Sequence, residues 1–310
     1  MSGYQPDFTW VGPDREKSEE IEAPSVSFWR DSMRRLWANK TARICLGFLL
    51  IIILMAIFVP ILSPYSTKAM NTAENYLKLF SKDSLGNFHI FGTDKFGRDV
   101  WVRLWDGTRV SLIIAFAAVA VNFALGAIYG GIAGYFGGLV DNLMMRFVEI
   151  LDGIPYLIII ILLMMVMPRG IMTIIIAYAT VGWTTMARLV RGQVMQLKEQ
   201  EFILAAKTLG CSASRTIGRH LLPNTLSVVI VNMTLSIPGA IFTEAFLSYI
   251  GLGVPIPQTS LGIMASDGAQ VYMREPQMLI VPALLICITM LSFNLLGDAL
   301  RDAVDPKLRR

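Results

Sequence analysis

Apolar residues in this chain arrive in long blocks free of charge rather than at alternating or three-and-four spacing. The uncharged runs cover 44–62, 110–140, 153–168, 170–187, 221–243 and 277–297. A half-buried strand would alternate and a surface helix would carry a polar stripe, so blocks with neither pattern suit an apolar solvent on their outer faces. A hydrocarbon core about 30 Å thick needs about 20 helical residues, so each run with its flanks makes one crossing. An all-α membrane protein with six transmembrane helices is expected. The third span is the weakest, because Glu149 and Asp152 fall in its first half and Pro155 interrupts it. The first is expected to stay as an anchor, since a long polar segment precedes it and no small-residue cleavage site follows.

Within the second span Gly126, Gly130 and Gly134 recur every four residues and Gly138 continues the register. On a helix they form one stripe where another backbone can come close, either within the protein or from a partner subunit. Residues 1–30 are polar with Pro6, Pro13 and Pro24, a composition expected of a loose tail. From 28 to 43 the sequence FWRDSMRRLWANKTAR mixes aromatic and basic residues and reads as a helix lying at the membrane surface. Between the fourth and fifth spans lies the polar stretch 192–224. There Phe202, Ala205, Ala206 and Leu209 share one helical face, Gly210 is placed to stop that helix, and Ser212 or Ser214 can cap a second one. A helix-turn-helix at the membrane surface is expected, serving either as an interfacial element or as a docking loop.

Composition agrees with the pattern: 54% of the 310 residues are hydrophobic and 16% charged, against about 25% charged in soluble domains. Charge then orients the spans. Of the 27 lysines and arginines, 18 fall on the side holding both termini and the 192–224 loop, and 9 on the other. The positive-inside rule places both termini in the cytoplasm. A net charge of +4 is accounted for by this bias and calls for no nucleic-acid partner. Cys45, Cys211 and Cys287 are far apart, and neither they nor His89 and His220 have metal-ligand spacing, so no metal site is expected. No lysine follows a glycine, which excludes a phosphate-cradling Gly-Lys-Ser/Thr loop. No nucleophile elbow or His-Glu-x-x-His helix occurs either. The loops are too short for an enzyme domain, so no catalytic residue is expected, and any ATP would be hydrolysed by another chain.

The 192–224 loop resembles the EAA motif of the C-type permease subunits of bacterial ABC importers for oligopeptides, dipeptides and nickel. Its general form is Glu-Ala-Ala, three residues, Gly, nine residues, then Ile-x-Leu-Pro. Ala205, Ala206, Gly210, Leu222 and Pro223 stand at matching places, while Leu204 replaces the glutamate and His220 the isoleucine, both as in the peptide branch. FGTDKFGRDVWVRLWDGTRVSL before the second span, TEAFLSYIGLGVPIPQTSLG after the fifth and GDALRDAVDPKLRR at the terminus are similar to that branch. The resemblance covers about residues 28–310.

It implies a type I ABC importer transmembrane domain in a bacterial cytoplasmic membrane. The expected divisions are a tail with interfacial helix (1–43), a first transmembrane helix (44–62), an extracytoplasmic loop (63–108), a five-helix core (109–298) and a cytoplasmic tail (299–310). The implied partners are a second homologous permease, two ATP-binding subunits that carry ATP and Mg2+, an extracytoplasmic substrate-binding protein, a peptide substrate and the lipid bilayer. In that family the EAA loop docks on an ATPase. Here the docking residues would be Ala205, Ala206, Leu209 and Gly210, with Leu222, Pro223 and Asn224 setting the exit into the fifth span. Glu244 either lines the path or outer gate or, the preferred reading, accepts hydrogen bonds that fix the turn at 251–257. Asp152 poses the same choice, with a helix-start cap preferred. The docking surface for the binding protein would be 63–109 and 251–277. Dipeptide, nickel-chelate or antimicrobial-peptide cargo fits the same resemblance. An ion-coupled secondary transporter would show more ionisable or unwound segments and an internal repeat. A purely structural or signalling subunit would not explain a docking loop.

Overall fold

A computed structural model of the protein describes residues 28–84 and 86–304. Residues 1–27 of the tail expected over 1–30, and the last six residues of the terminal motif, lie outside the described residues. The helices in chain order are α1 (Phe28–Ala38), α2 (Lys40–Leu62), α3 (Val100–Phe136), α4 (Gly138–Asp152), α5 (Tyr156–Val166) and α6 (Ile171–Ala179). They continue as α7 (Trp183–Leu197), α8 (Glu201–Thr208), the single turn α9 (Ala213–Arg215), α10 (Leu222–Leu247), α11 (Leu261–Gln270) and α12 (Gln277–Val304).

Four continuous helical stretches are long and apolar enough to cross a membrane: Lys40–Leu62, Val100–Phe136, Ala213–Leu252 and Gln277–Val304. Two further crossings are broken. α4 and α5 meet at 76°, and α6 and α7 at 45°. Counting each bent pair as one span gives six. The expected interruption at Pro155 is present, but the third span takes in α4 and so begins well before 153. The second break, at 180–182, has no proline to announce it.

Asn39 divides the segment expected as one interfacial helix. Its side chain accepts the Thr41 and Ala42 amides at 2.9 and 3.3 Å and caps α2, so α1 ends at Ala38. In α2 the residues Ala42, Cys45, Leu49, Ile52 and Ala56 recur at helical spacing and are buried against Leu112, Ile241 and Phe293. Ile44, Phe48, Ile51, Phe58 and Ile61 on the remaining faces are exposed, as lipid contact requires.

α3 is the axis of the molecule. Its 37 residues span about 55 Å at 1.5 Å per residue, longer than a bilayer core. Its glycine stripe lies on α7. A Cβ at Gly126 would stand 2.6 Å from Met186 Cβ, one at Gly130 2.2 Å from the Ala187 carbonyl oxygen, and one at Gly134 2.8 Å from that of Arg191. The stripe is thus an internal contact. Gly138 does not continue it: α3 stops at Gly137, both glycines have positive φ, and a Cβ at Gly138 would meet nothing.

Residues 63–99 form a cap at the N-terminal end of α3. A two-stranded hairpin, Ser81–Lys82 with Phe88–His89, sits in it. The buried His89 lies 2.7 Å from Asp99, and Tyr65 donates to the Phe88 carbonyl at 2.8 Å. The cap is joined to α11 by Lys95–Asp267 at 2.7 Å, and the first turn of α3 is joined to the segment before α11 by Arg103 donating to Thr259 at 3.1 Å. A buried cluster of Val100, Leu104, Leu261, Met264 and Met278 reinforces the joint.

Candidate functional site

The 192–224 loop lies at the opposite, C-terminal end of α3. Lys198 donates to the Gly134 carbonyl at 3.0 Å, and Lys207 lies 5.2 Å from the centre of the Tyr135 ring. α8 has one buried residue, Ile203, which packs with Val190, Val194, Leu221 and Val229. That inward anchor turns the apolar remainder outward. Phe202, Leu204 and Ala205 are exposed, Ala206 is half-buried, and Leu209 is 88% exposed. Gly210 takes φ 78°, a left-handed conformation that ends the helix at low cost, and the Cys211 amide bonds back to Ala206 at 3.0 Å. A Cβ at Gly210 would meet nothing among the described residues.

After that stop Ser212 occupies the N-cap position of α9, but its hydroxyl makes no capping bond; its carbonyl accepts from Thr216 at 3.0 Å. Leu222 packs inward against Gly131, whereas Pro223 and Asn224 are exposed, and Asn224 donates to the His220 carbonyl at 2.5 Å. The expected docking residues therefore divide. Ala205, Leu209 and Gly210 form an outward surface, and Leu222 supports it from beneath. Ile203 was not anticipated; an apolar residue out of phase with the 202–205–209 face was the available signal.

Glu244 is wholly buried. Ser111 and Ser248 each donate to one of its carboxylate oxygens at 2.7 Å. The amide of Leu261 donates to Ser111 at 3.2 Å, and Ser260 bonds Ser248 at 3.2 Å. One carboxylate thus ties α3, α10 and the start of α11 together, and both its oxygens are used inside the chain.

Asp152 does not cap a helix start. It is the last residue of α4, and the N-cap position of α5 is Pro155, with no side-chain capping bond. Its carboxylate instead accepts from Thr184 at 2.8 Å and pairs with Arg188. A second tie between α4 and α7 joins Asp141 to Arg191, with one contact at 2.5 Å. Sequence spacing gave no sign of either pair, since their partners are more than thirty residues apart. Among the described residues no group of three or more His, Cys, Asp or Glu is placed to hold a metal, and the three cysteines are free and separate.

Residues 125–310 match the family described as binding-protein-dependent transport system inner membrane component. Residues 27–78 match the N-terminal TM domain of oligopeptide transport permease C. The chain is 50% identical over 293 residues to an oligopeptide transport system permease protein of Bacillus subtilis (strain 168), covering 94% of each chain. It is 47% identical over 305 residues to the dipeptide transport system permease protein of the same organism, covering 97% of this chain and 93% of that one. Among solved structures, inward-facing MetNI methionine ABC transporter superposes with a TM-score of 0.52 at 20% identity, covering 66% of this chain and 96% of that chain. That likeness carries the fold, a type I ABC importer transmembrane domain. Six apolar crossings, a protruding loop and a match over most of the chain make this protein a multi-pass member of the binding-protein-dependent transport system inner membrane component family.

Proposed function

We propose that the chain is the permease subunit of an ATP-driven peptide importer, supplying half of the pathway beside a second, homologous permease. The observation that carries this reading is α8, whose apolar face is held out of the protein by the single inward residue Ile203. An exposed Leu209 beside small Ala205 and Gly210 suits close docking into a groove on another protein. ATP and Mg2+ belong to two separate ATPase subunits on that side, which is the cytoplasm, together with both termini. The 63–109 segment, most of it the 63–99 cap, and the 251–277 segment face outward and receive the binding protein that brings cargo. The expected divisions of the chain are kept as part of this proposal, with the first helix drawn as Lys40–Leu62, the core from Val100 and the last helix to Val304. Peptide cargo is supported by the identity to oligopeptide and dipeptide permeases, and the similar figures for the two leave cargo length open between them.

Leu209→Asp tests the docking surface. The side chain is almost fully exposed, so folding and membrane insertion should be unchanged. Co-purification of the ATPase subunits and ATP-dependent peptide uptake should fall at least about tenfold, the effect of a charge buried in an apolar contact. Undiminished association and uptake would remove α8 from the coupling role.

A further inference from the structure

The two helix breaks line one cavity. Ile154 and Pro155 from the first and Val181 and Gly182 from the second border a space of about 620 Å³, whose polar groups include Asp152, Tyr178, Thr185 and Arg188. A second space of about 380 Å³ shares Tyr178, Gly182, Thr185 and Arg188 with it and adds Asn122, Asn232 and Ser236. Each is within the size range of about 300–1,000 Å³ typical of small-ligand sites. Non-helical backbone in a transmembrane span persists where it lines a polar cavity, and ionisable groups there mark pathways.

Three features give these two adjoining spaces a chemistry. Asp152 and Arg188 lie in direct contact, and half of the Arg188 side chain remains exposed. Asn122 is buried on α3, and its Oδ1 has no hydrogen-bond partner among the described residues. A Cβ at Gly182 would stand 2.3 Å from Asn122 Nδ2, so the glycine makes room for that amide. A buried acceptor left open costs stability unless something visits it. Asn232 and Ser236 donate to their own helix at 2.9 and 2.7 Å, which leaves their oxygens free to accept.

An anion and a cation side by side, with unfilled acceptors nearby, complement a ligand that carries an ammonium group beside a carbonyl and further N–H groups. The amino-terminal residue of a peptide has that pattern whatever the peptide's length. Resting on the peptide-importer reading above, we propose that the two spaces, which meet at Arg188, together form a subsite for the amino terminus of the transported peptide. Asp152 receives the α-ammonium group, Arg188 donates to the first carbonyl oxygen, and Asn122 accepts a following amide. In the empty site the two charges neutralise each other, and a peptide exchanges that one pair for two charge-assisted contacts.

The test uses the complete transporter with its binding protein and two probes, trialanine and N-acetyl-trialanine. Asp152→Asn with Arg188→Gln removes both charges together, so neither is left unpaired. The double variant should still co-purify with its partners but import trialanine about tenfold more slowly, the worth of a charge-assisted hydrogen bond. As a second readout, Thr185→Cys or Ser236→Cys is introduced with Cys45, Cys211 and Cys287 changed to Ala. Trialanine under ATP turnover should slow thiol labelling at the new cysteine, and the N-acetyl form should not. Wild-type uptake with an equally active double variant, or with labelling that trialanine does not slow, overturns the subsite and leaves the importer standing. A wild-type complex that imports no peptide overturns the importer reading and the subsite with it.

Discussion

Gly130 has no room for a side chain. The Ala187 carbonyl oxygen would lie 2.2 Å from any Cβ there, and backbone cannot step aside as a flexible side chain can. Gly47, in α2, faces open space. Gly130→Ala should therefore destabilise the purified protein by about 1–3 kcal/mol through forced separation of α3 from α7. Gly47→Ala should leave it unchanged or slightly stabler. Thermal unfolding in detergent separates the two, and equal melting points would refute the close packing. This contact was legible in the sequence because a four-residue glycine period has few other uses in a span. Its limit at Gly134 was not, since nothing in the spacing says that the helix stops at Gly137. Asp152 was legible as a residue needing a partner. The identity of that partner was hidden because Arg188 lies on another span, and a local cap was the reading that adjacent residues offered.

Among the elements, the continuous spans followed from uncharged runs, while the broken ones followed only where a proline marked the bend. The 180–182 break carries only Gly182, one glycine among many. The 63–99 cap was legible as a polar segment but not as a folded one, because the residue that fastens it, Asp267, comes from the far side of the sequence. Glu244 is the joint of three elements, and its role has an energetic signature. Glu244→Leu would strand the hydroxyls of Ser111 and Ser248 in the interior and should cost about 2–5 kcal/mol. Glu244→Gln keeps the shape and can still bond both serines, whose hydroxyls rotate to donate or accept, and should cost less than about 1.5 kcal/mol. Folded yield and thermal stability measure both. A leucine variant as stable as the glutamine one would show that the joint is not held by these bonds.

On the scale of the whole molecule, α3 separates two ends with different work. The cap and α11 form one packed body at its start, and the loop carrying α8 rests on its last turns. Between them the broken spans, with α3 and α10, border open spaces that carry polar groups. Interrupted helices bend at lower cost than continuous ones, so on the proposed importer reading these breaks are where a signal at one end would alter access in the middle. On the proposed reading this chain transports without hydrolysing nucleotide and borrows that work from others. The most direct measurement is gentle purification of the tagged chain from its native membrane, followed by identification of what accompanies it and an ATPase assay. A second permease and ATP-binding subunits should appear in the same complex, with ATPase activity that disappears when those subunits are stripped away. A stable, transport-competent assembly that contains no ATP-binding subunit and takes up peptide on an ion gradient alone would contradict it.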